Sequence, residues 1–328
     1  MKRAHFLLPL FFLFLLSCNK KSETGPSPAS GKINNISVII DDQLWNGEIG
    51  DSIRNKFASP VIGLPQEEPL FSINQYPVKL LEGFMTNSRN IIVIKKEPAS
   101  VFKIVTDEYA KPQNVVHISG RTVVEILSIL EKNAPAIIQL MHDTEIAESQ
   151  KMIDTSLLDT KRITKKFRAS LHVPSAYKYV MQKDKLIWLK KEIISGNTSI
   201  LIYSVPVKCL EKNSNAIDNI VKMRDSIGNL YIHGTVLDSR MITEEAYAPY
   251  LAHITLDGRK TYVTKGTWEL KNDYMSGPFI NYAIMDKANK RILVLEGFCY
   301  APSKEKRDLM HELEAIIKSV KIGKPKKK

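Results

Sequence analysis

The chain has 328 residues, 44% of them hydrophobic and 25% charged, and carries a formal charge of +12. That is enough apolar material for one large or two ordinary cores, which excludes a disordered chain and describes a globular protein. No finger, recognition-helix or RNA-binding signature accompanies the basic excess, so nucleic acid is not an expected partner.

From the N-terminus, Lys2 and Arg3 precede an apolar run over residues 6–16. The run is shorter than the roughly 20 residues that a membrane-spanning helix needs, and reads instead as a secretory signal, residues 1–17. Its end, Leu15-Leu16-Ser17-Cys18, resembles the bacterial lipobox, although Leu16 is larger than the residue usual there. The resemblance implies cleavage before Cys18, lipidation of its sulfur and acylation of the new N-terminus. An ordinary secreted protein with a cysteine near its cleavage site is the alternative. Each buried methylene contributes about 0.8 kcal/mol and about two acyl chains make a stable anchor, so membrane lipid, held through Cys18, is the first expected partner. Residues 18–32, polar and rich in Pro, Gly and Ser, read as a lipidated flexible tether. Loss of Lys2 and Arg3 leaves the mature chain at +10, with much of the excess in residues 161–168 and in a basic tail, 323–328. Such charge suits anionic lipid or polysaccharide at about 1 kcal/mol per lysine. A solvated face and a frayed tail are the plainer account.

Residues 36–40 form a β-branched strand run ending in Asp41-Asp42, and Ile49, Ile53 and Phe57 recur behind it at helical spacing. Residues 59–77 hold four prolines and read as an irregular connection with a short strand, 70–73, inside it. Strands follow over 90–94, 101–106 and 114–118. Thr122 then caps a helix to about residue 132, with Glu125 at the capping-box position. Pro135 suits the first turn of a second, mostly polar helix over residues 135–166, which packs one narrow apolar edge on a sheet. This connecting helix divides an N-terminal half, 33–134, from a C-terminal half, 167–322. The second half restarts with FRASLHVP as a strand, SAYKYVM as a short helix, and the strands KLIWLKKEI and SILIYSVP. A helix over 215–227, an extended run over 260–270 and a hairpin of 279–285 with 291–298 follow. An amphipathic helix carrying Leu309, Leu313, Ile316, Ile317 and Val320 closes the chain. The expected fold class is α+β, in two successive halves, each a mainly antiparallel sheet covered by helices. The shared strand and helix order also allows a distant duplication, which no aligned motif marks.

The segments IIDDQLWNGEIGD, LPQEEPLF, RNIIVI, YAKPQ, GTWEL, MSGPFINY and EGFCYAPSKEKRDLMHELEAIIKSVK together resemble the Bacteroidota lipoproteins grouped as domain-of-unknown-function family 4837. The resemblance runs over nearly all of the mature chain and implies no activity. The second half, from FRASLHVPSAYKYV to EAIIKSVK, is similar to PsbP-like α/β/α sandwiches. That likeness is architectural and carries no function.

The signatures of a nucleophile elbow, a zinc protease, a phosphate loop and a dinucleotide fold are absent, so no cofactor or metal is expected. His142 and His311 lie near carboxylates on helices, His311 and Glu314 sharing a face at i, i+3, and read as surface pairs. The densest constellation is Asp41, Asp42, Trp45, Asp51 and Arg54, where paired acids at a strand end suit acid/base work or a cation. Against this, Asp42 and Asp51 also suit helix caps, Trp45 suits the core, and Arg54 can pair with Asp51. Gln66, Glu67 and Glu68 sit in a proline-stiffened loop, 64–71, of the kind that carries recognition at low entropic cost. Trp268 is an interface anchor or a core residue. Cys209 and Cys299 allow one disulfide in an oxidising compartment, two buried thiols being the alternative. These residues favour a membrane-anchored envelope lipoprotein on the periplasmic face of the outer membrane, a non-enzymatic binding or adaptor module for an envelope protein or polysaccharide. Two other classes stay open. One is an envelope-polymer hydrolase using Asp41, Asp42 and Glu68; the other is a carrier of a lipid or apolar ligand.

Overall fold

The computed structural model describes residues 26–81, 86–210 and 215–324. The signal, Cys18, the start of the tether and the end of the basic tail lie outside these residues.

The N-terminal half is built from β1 (Ser27–Pro28), β2 (Asn35–Ile40), α1 (Asp42–Trp45), α2 (Glu48–Phe57), β3 (Ser72–Tyr76), β4 (Asn90–Lys96), β5 (Val101–Thr106), β6 (Ala110–Lys111), β7 (Asn114–Gly120) and α3 (Val123–Asp154). Its sheet runs β3-β2-β4-β7-β5. The pairings β2 with β3, β2 with β4 and β4 with β7 are parallel, and only β5 runs against its neighbour. The expectation of a mainly antiparallel sheet therefore fails in this half. The reason lies in β4, where Ile91, Ile92, Val93 and Ile94 are all buried. A continuous apolar run marks a strand covered on both faces, as parallel strands are. α2 and α3 cover one face through Ile49, Ile53, Ile126, Leu130 and Ile137. A smaller cluster of Ile39, Ile91, Val93 and Val115 lies on the other face, under Tyr76, Val78 and Tyr109.

Part of the expected tether is fixed. Ser27 and Pro28 pair in parallel with Ala110 and Lys111, and the Ser30 N–H donates to the Asn87 carbonyl at 2.8 Å. The helix expected behind Asp41-Asp42 is two, α1 and α2, which part at Asn46-Gly47. Gly50 lets them abut, since a Cβ there would lie 1.7 Å from the Trp45 carbonyl oxygen. The two helices expected around Pro135 are one, α3, but it ends at Asp154, and the rest of the expected 135–166 helix is a separate short helix over Lys161–Phe167. Pro135 is exposed, so water can serve the carbonyl that its missing N–H abandons, while Asn133 Nδ2 donates to the Ile129 carbonyl at 2.7 Å. Thr122 caps α3 as expected, accepting the Glu125 N–H at 3.1 Å.

The C-terminal half adds α4 (Lys161–Phe167), β8 (Ala169–Ser170), β9 (Lys178–Lys183), β10 (Leu186–Ile193), β11 (Gly196–Val205), α5 (Ala216–Tyr231), β12 (Arg240–Thr243), β13 (Tyr250–Leu256), β14 (Arg259–Lys271), β15 (Ser276–Asp286), β16 (Arg291–Tyr300), α6 (Arg307–Lys318) and β17 (Lys321–Ile322). Its large sheet is antiparallel throughout, β12-β14-β15-β16-β11-β10-β9, with β13 also on β14. Period-2 alternation sends Leu293, Leu295 and Cys299 of β16 to one core and Ile292, Val294 and Phe298 to the other. α4, α6 and the end of α3 cover the first face, and α5 covers the second. α5 also brings Arg224 to Glu296 at 2.9 Å and over the Phe279 ring at 3.9 Å. The segment SAYKYVM is not a helix: Tyr177 is buried and the following residues form β9, whose alternating burial suits an edge strand. The two sheets differ in strand order and direction, so the fold gives no support to a duplication.

Candidate functional site at the seam between the halves

α3 belongs to both halves. Its apolar residues Ile126, Leu130, Ala134, Ile137 and Met141 pack on the N-terminal sheet, and Ile146 and Ile153 pack in the C-terminal core. Between these contacts the same helix presents His142, Glu145 and Ser149, spaced at i, i+3 and i+7 and so stacked on one face. α6 lies alongside and supplies Asp308, His311 and Glu314.

Glu145 is fully buried and accepts from three residues of the N-terminal half. Arg89 Nε reaches it at 3.0 Å, Asn90 Nδ2 at 2.8 Å and the Asn34 N–H at 3.3 Å. Burial pushes its carboxyl up, against the pull of Arg89. Arg89 Nη2 also donates to the carbonyls of Gly31 and Lys32, at 3.0 and 2.9 Å, which fixes the end of the expected tether on the seam.

One turn away the His142 and His311 rings meet edge to face, 5.8 Å between centroids. His311 Nε2 lies 3.0 Å from Ser149 Oγ. Burial drives His311 down to about 4, helped by His142 beside it, and burial also lowers His142. Glu314 behaves oppositely. Its burial favours the neutral acid, yet Lys265 and Lys318 at 3.5 Å, His142 at 3.8 Å and the Tyr282 hydroxyl at 2.8 Å hold it well below the usual carboxylate range. At neutral pH the cluster is thus one carboxylate between two lysines, flanked by two neutral imidazoles.

His311 stands between two hollows. A cavity of about 60 Å³ borders Asn34, Leu64, His142, Lys265 and Glu314. A groove of about 580 Å³ opens on the other side, with Met152, Ile153, Pro174 and Ala176 as apolar wall and Lys32, Asp308 and Glu312 as charged rim. Among the described residues, no three of His, Cys, Asp and Glu are arranged to hold a metal ion.

The residues nominated from sequence lie elsewhere or serve the fold. Asp41 and Asp42 are exposed; Asp42 accepts Gln75 Nε2 at 3.0 Å. Trp45 packs against the N-terminal core under Arg54, which also pairs with Asp51 at 2.7 Å. Glu67 is exposed, whereas Glu68 is buried and accepts the backbone N–H groups of Lys306 (2.7 and 3.0 Å) and Arg307 (2.7 Å). It thereby caps α6, whose own N-cap side chain makes no such bond, and Gln66 takes Lys306 Nζ at 2.6 Å. The loop 64–71 is a staple between the halves. Trp268 is core, its indole N–H donating to the Cys299 carbonyl at 3.2 Å. Cys209 and Cys299 are free thiols, Cys299 facing the α6 core, which is the alternative to the disulfide that the sequence allowed. His142 and His311 are not surface residues, because α3 and α6 pack on each other through the faces that carry them.

Fold and seam define a two-domain α+β protein whose halves share one helix and a buried polar joint. A family model described as a domain of unknown function (DUF4837) matches residues 156–319, half of the chain, and the chain belongs to that family. A second model, also described as a domain of unknown function (DUF8532), matches residues 29–154. The family resemblance expected over nearly the whole mature chain is thus divided where α3 ends. No curated protein matches the chain.

Proposed function

We propose that the chain is a Bacteroidota envelope lipoprotein, held by acylated Cys18 on the periplasmic face of the outer membrane, with a PsbP-like second half. It acts as a binding module whose ligand or partner segment lies in the groove at the seam. No helix among the described residues is long and apolar enough to cross a membrane. The observation that carries the binding reading is a contrast. The carboxylates Glu68 and Asp42 are engaged in holding loops and helices, while the seam keeps a concavity of about 580 Å³ beside the half-exposed Met152. That volume is within the range of ligand pockets, about 300–1,000 Å³. With the chain fixed from Ser27 onward, residues 18–26 reach at most about 30 Å, so the anchor keeps the body close to the bilayer.

Two experiments test this. Metabolic labelling with a fatty acid analogue should mark the protein and lose the mark in Cys18→Ser. A photoreactive residue at 152 or 175, beside the groove, should crosslink in cells to one recurrent envelope species, with little from a control at exposed Tyr247. An abundant, folded protein that gives no product above background from 152 and 175 sinks the groove as the binding face.

A further inference from the structure

β5 is the outer strand of the N-terminal sheet, paired with β7 on one side only among the described residues. Five of its six residues are exposed, including Val101, Phe102 and Ile104. Unpaired edges are templates for another strand, and proteins usually blunt them with charge, proline or cover. The edge strand β9 carries Lys178 and Lys183 at its ends, and β3 is the polar segment SINQY. β5, VFKIVT, has one charge and no proline.

Its register defines what would fit beside it. Phe102 and Ile104 stand opposite Ile118 and Val116, so they extend the apolar face that α3 covers and leave its margin bare. Lys103 stands opposite His117 on the other face. There a hollow of about 280 Å³ is lined by Val93, Lys95, Lys103, Glu108 and His117, with His117 engaged by Glu108 at 2.7 Å. Lys103 meets no carboxylate among the described residues.

From this we infer that β5 receives an extended segment of another protein by strand addition. The segment alternates apolar residues, which lie beside Phe102 and Ile104, with an acidic residue that meets Lys103. Strand addition draws affinity from main-chain hydrogen bonds and specificity from alternate side chains. A second copy of this chain fits poorly. Antiparallel pairing of β5 on itself about its centre sets the two Lys103 side chains directly opposite or diagonal, where like charges repel. The lysine thus selects against self-pairing and for an acidic partner.

The test uses the whole chain in detergent and two fluorescent decapeptides, one alternating valine with glutamate and one valine with lysine. The glutamate peptide should bind saturably and slow amide exchange in residues 101–106. The lysine peptide should bind about tenfold more weakly, the order expected when an attractive cross-strand pair becomes repulsive. The exposed substitution Lys103→Glu should reverse that order. The inference is overturned if 101–106 stay unprotected at millimolar peptide, if both peptides bind alike, or if the chain alone dimerises with those amides protected. None of these readouts depends on the lipid anchor or on the seam groove.

Discussion

His311 should make the protein lose stability in mild acid. Its ordinary value, about 6.5, is driven down to about 4 by burial between α3 and α6. The unfolded chain therefore takes up a proton below pH 6.5 that the native state refuses, and stability falls as pH falls until the native imidazole also titrates near 4. The whole gap is worth roughly 3 kcal/mol, of which about 2 kcal/mol is lost by pH 5. His142 acts in the same direction. Glu145 and Glu296, whose burial raises their carboxyls, act against it, and Glu314, held low, contributes only below about pH 4.5. Lys265, Lys318, Asp143 and Asp308 also face the cluster. The clean measurement is thus a difference between wild type and His311→Gln, by urea denaturation from pH 7.5 to 5. At pH 7.5 the variant should be about 1 kcal/mol less stable, for the lost contact with Ser149. Toward pH 5 it should regain about 2 kcal/mol relative to wild type. Parallel stability curves across the window would refute the buried, neutral imidazole.

Glu68→Ala should lower stability by about 1–2 kcal/mol through uncapping α6, measured by denaturant midpoint, with Glu67→Ala near zero. Leu130→Ala, at a fully buried position of α3, should cost about 2–5 kcal/mol, and both halves should melt earlier because they share that helix. The melting temperature should be the same with and without reductant. Cys299, its thiol pushed up to about 12 by burial, should resist alkylation at pH 8 until the protein unfolds. Gly277→Ala should fail to reach the native fold or lose several kcal/mol, measured by thermal melt, because a Cβ there would lie 2.1 Å from the Cys299 carbonyl oxygen.

The α+β class, the strands over 101–106 and the 279–298 hairpin, the Thr122 cap and the closing amphipathic helix were legible because each is written in local periodicity or capping chemistry. The parallel order of β2, β4 and β7 is marked by apolar runs with little alternation, but a short run of that kind does not by itself tell a parallel strand from an antiparallel one. The candidate site was largely illegible. Glu68 caps a helix that begins 239 residues later, and Glu145 finds Arg89 56 residues earlier, so no window of sequence contains either partner. His142 and His311 looked exposed because the spacing of each helix shows which face is polar, not whether another polar face covers it. The one available signal was the run His142, Glu145, Ser149, which interrupts the apolar stripe of α3 at its middle.

α3 gives the protein a particular kind of inheritance. The two family models meet at residue 155, yet the helix that ends there carries Ile146 and Ile153 into the other domain's core. A gene cut at that point would leave one product with greasy side chains exposed and the other with an unroofed sheet. Any domain grafted there would have to accept the last turns of this helix as its own, so the point where the two models meet is not a seam between independent cores.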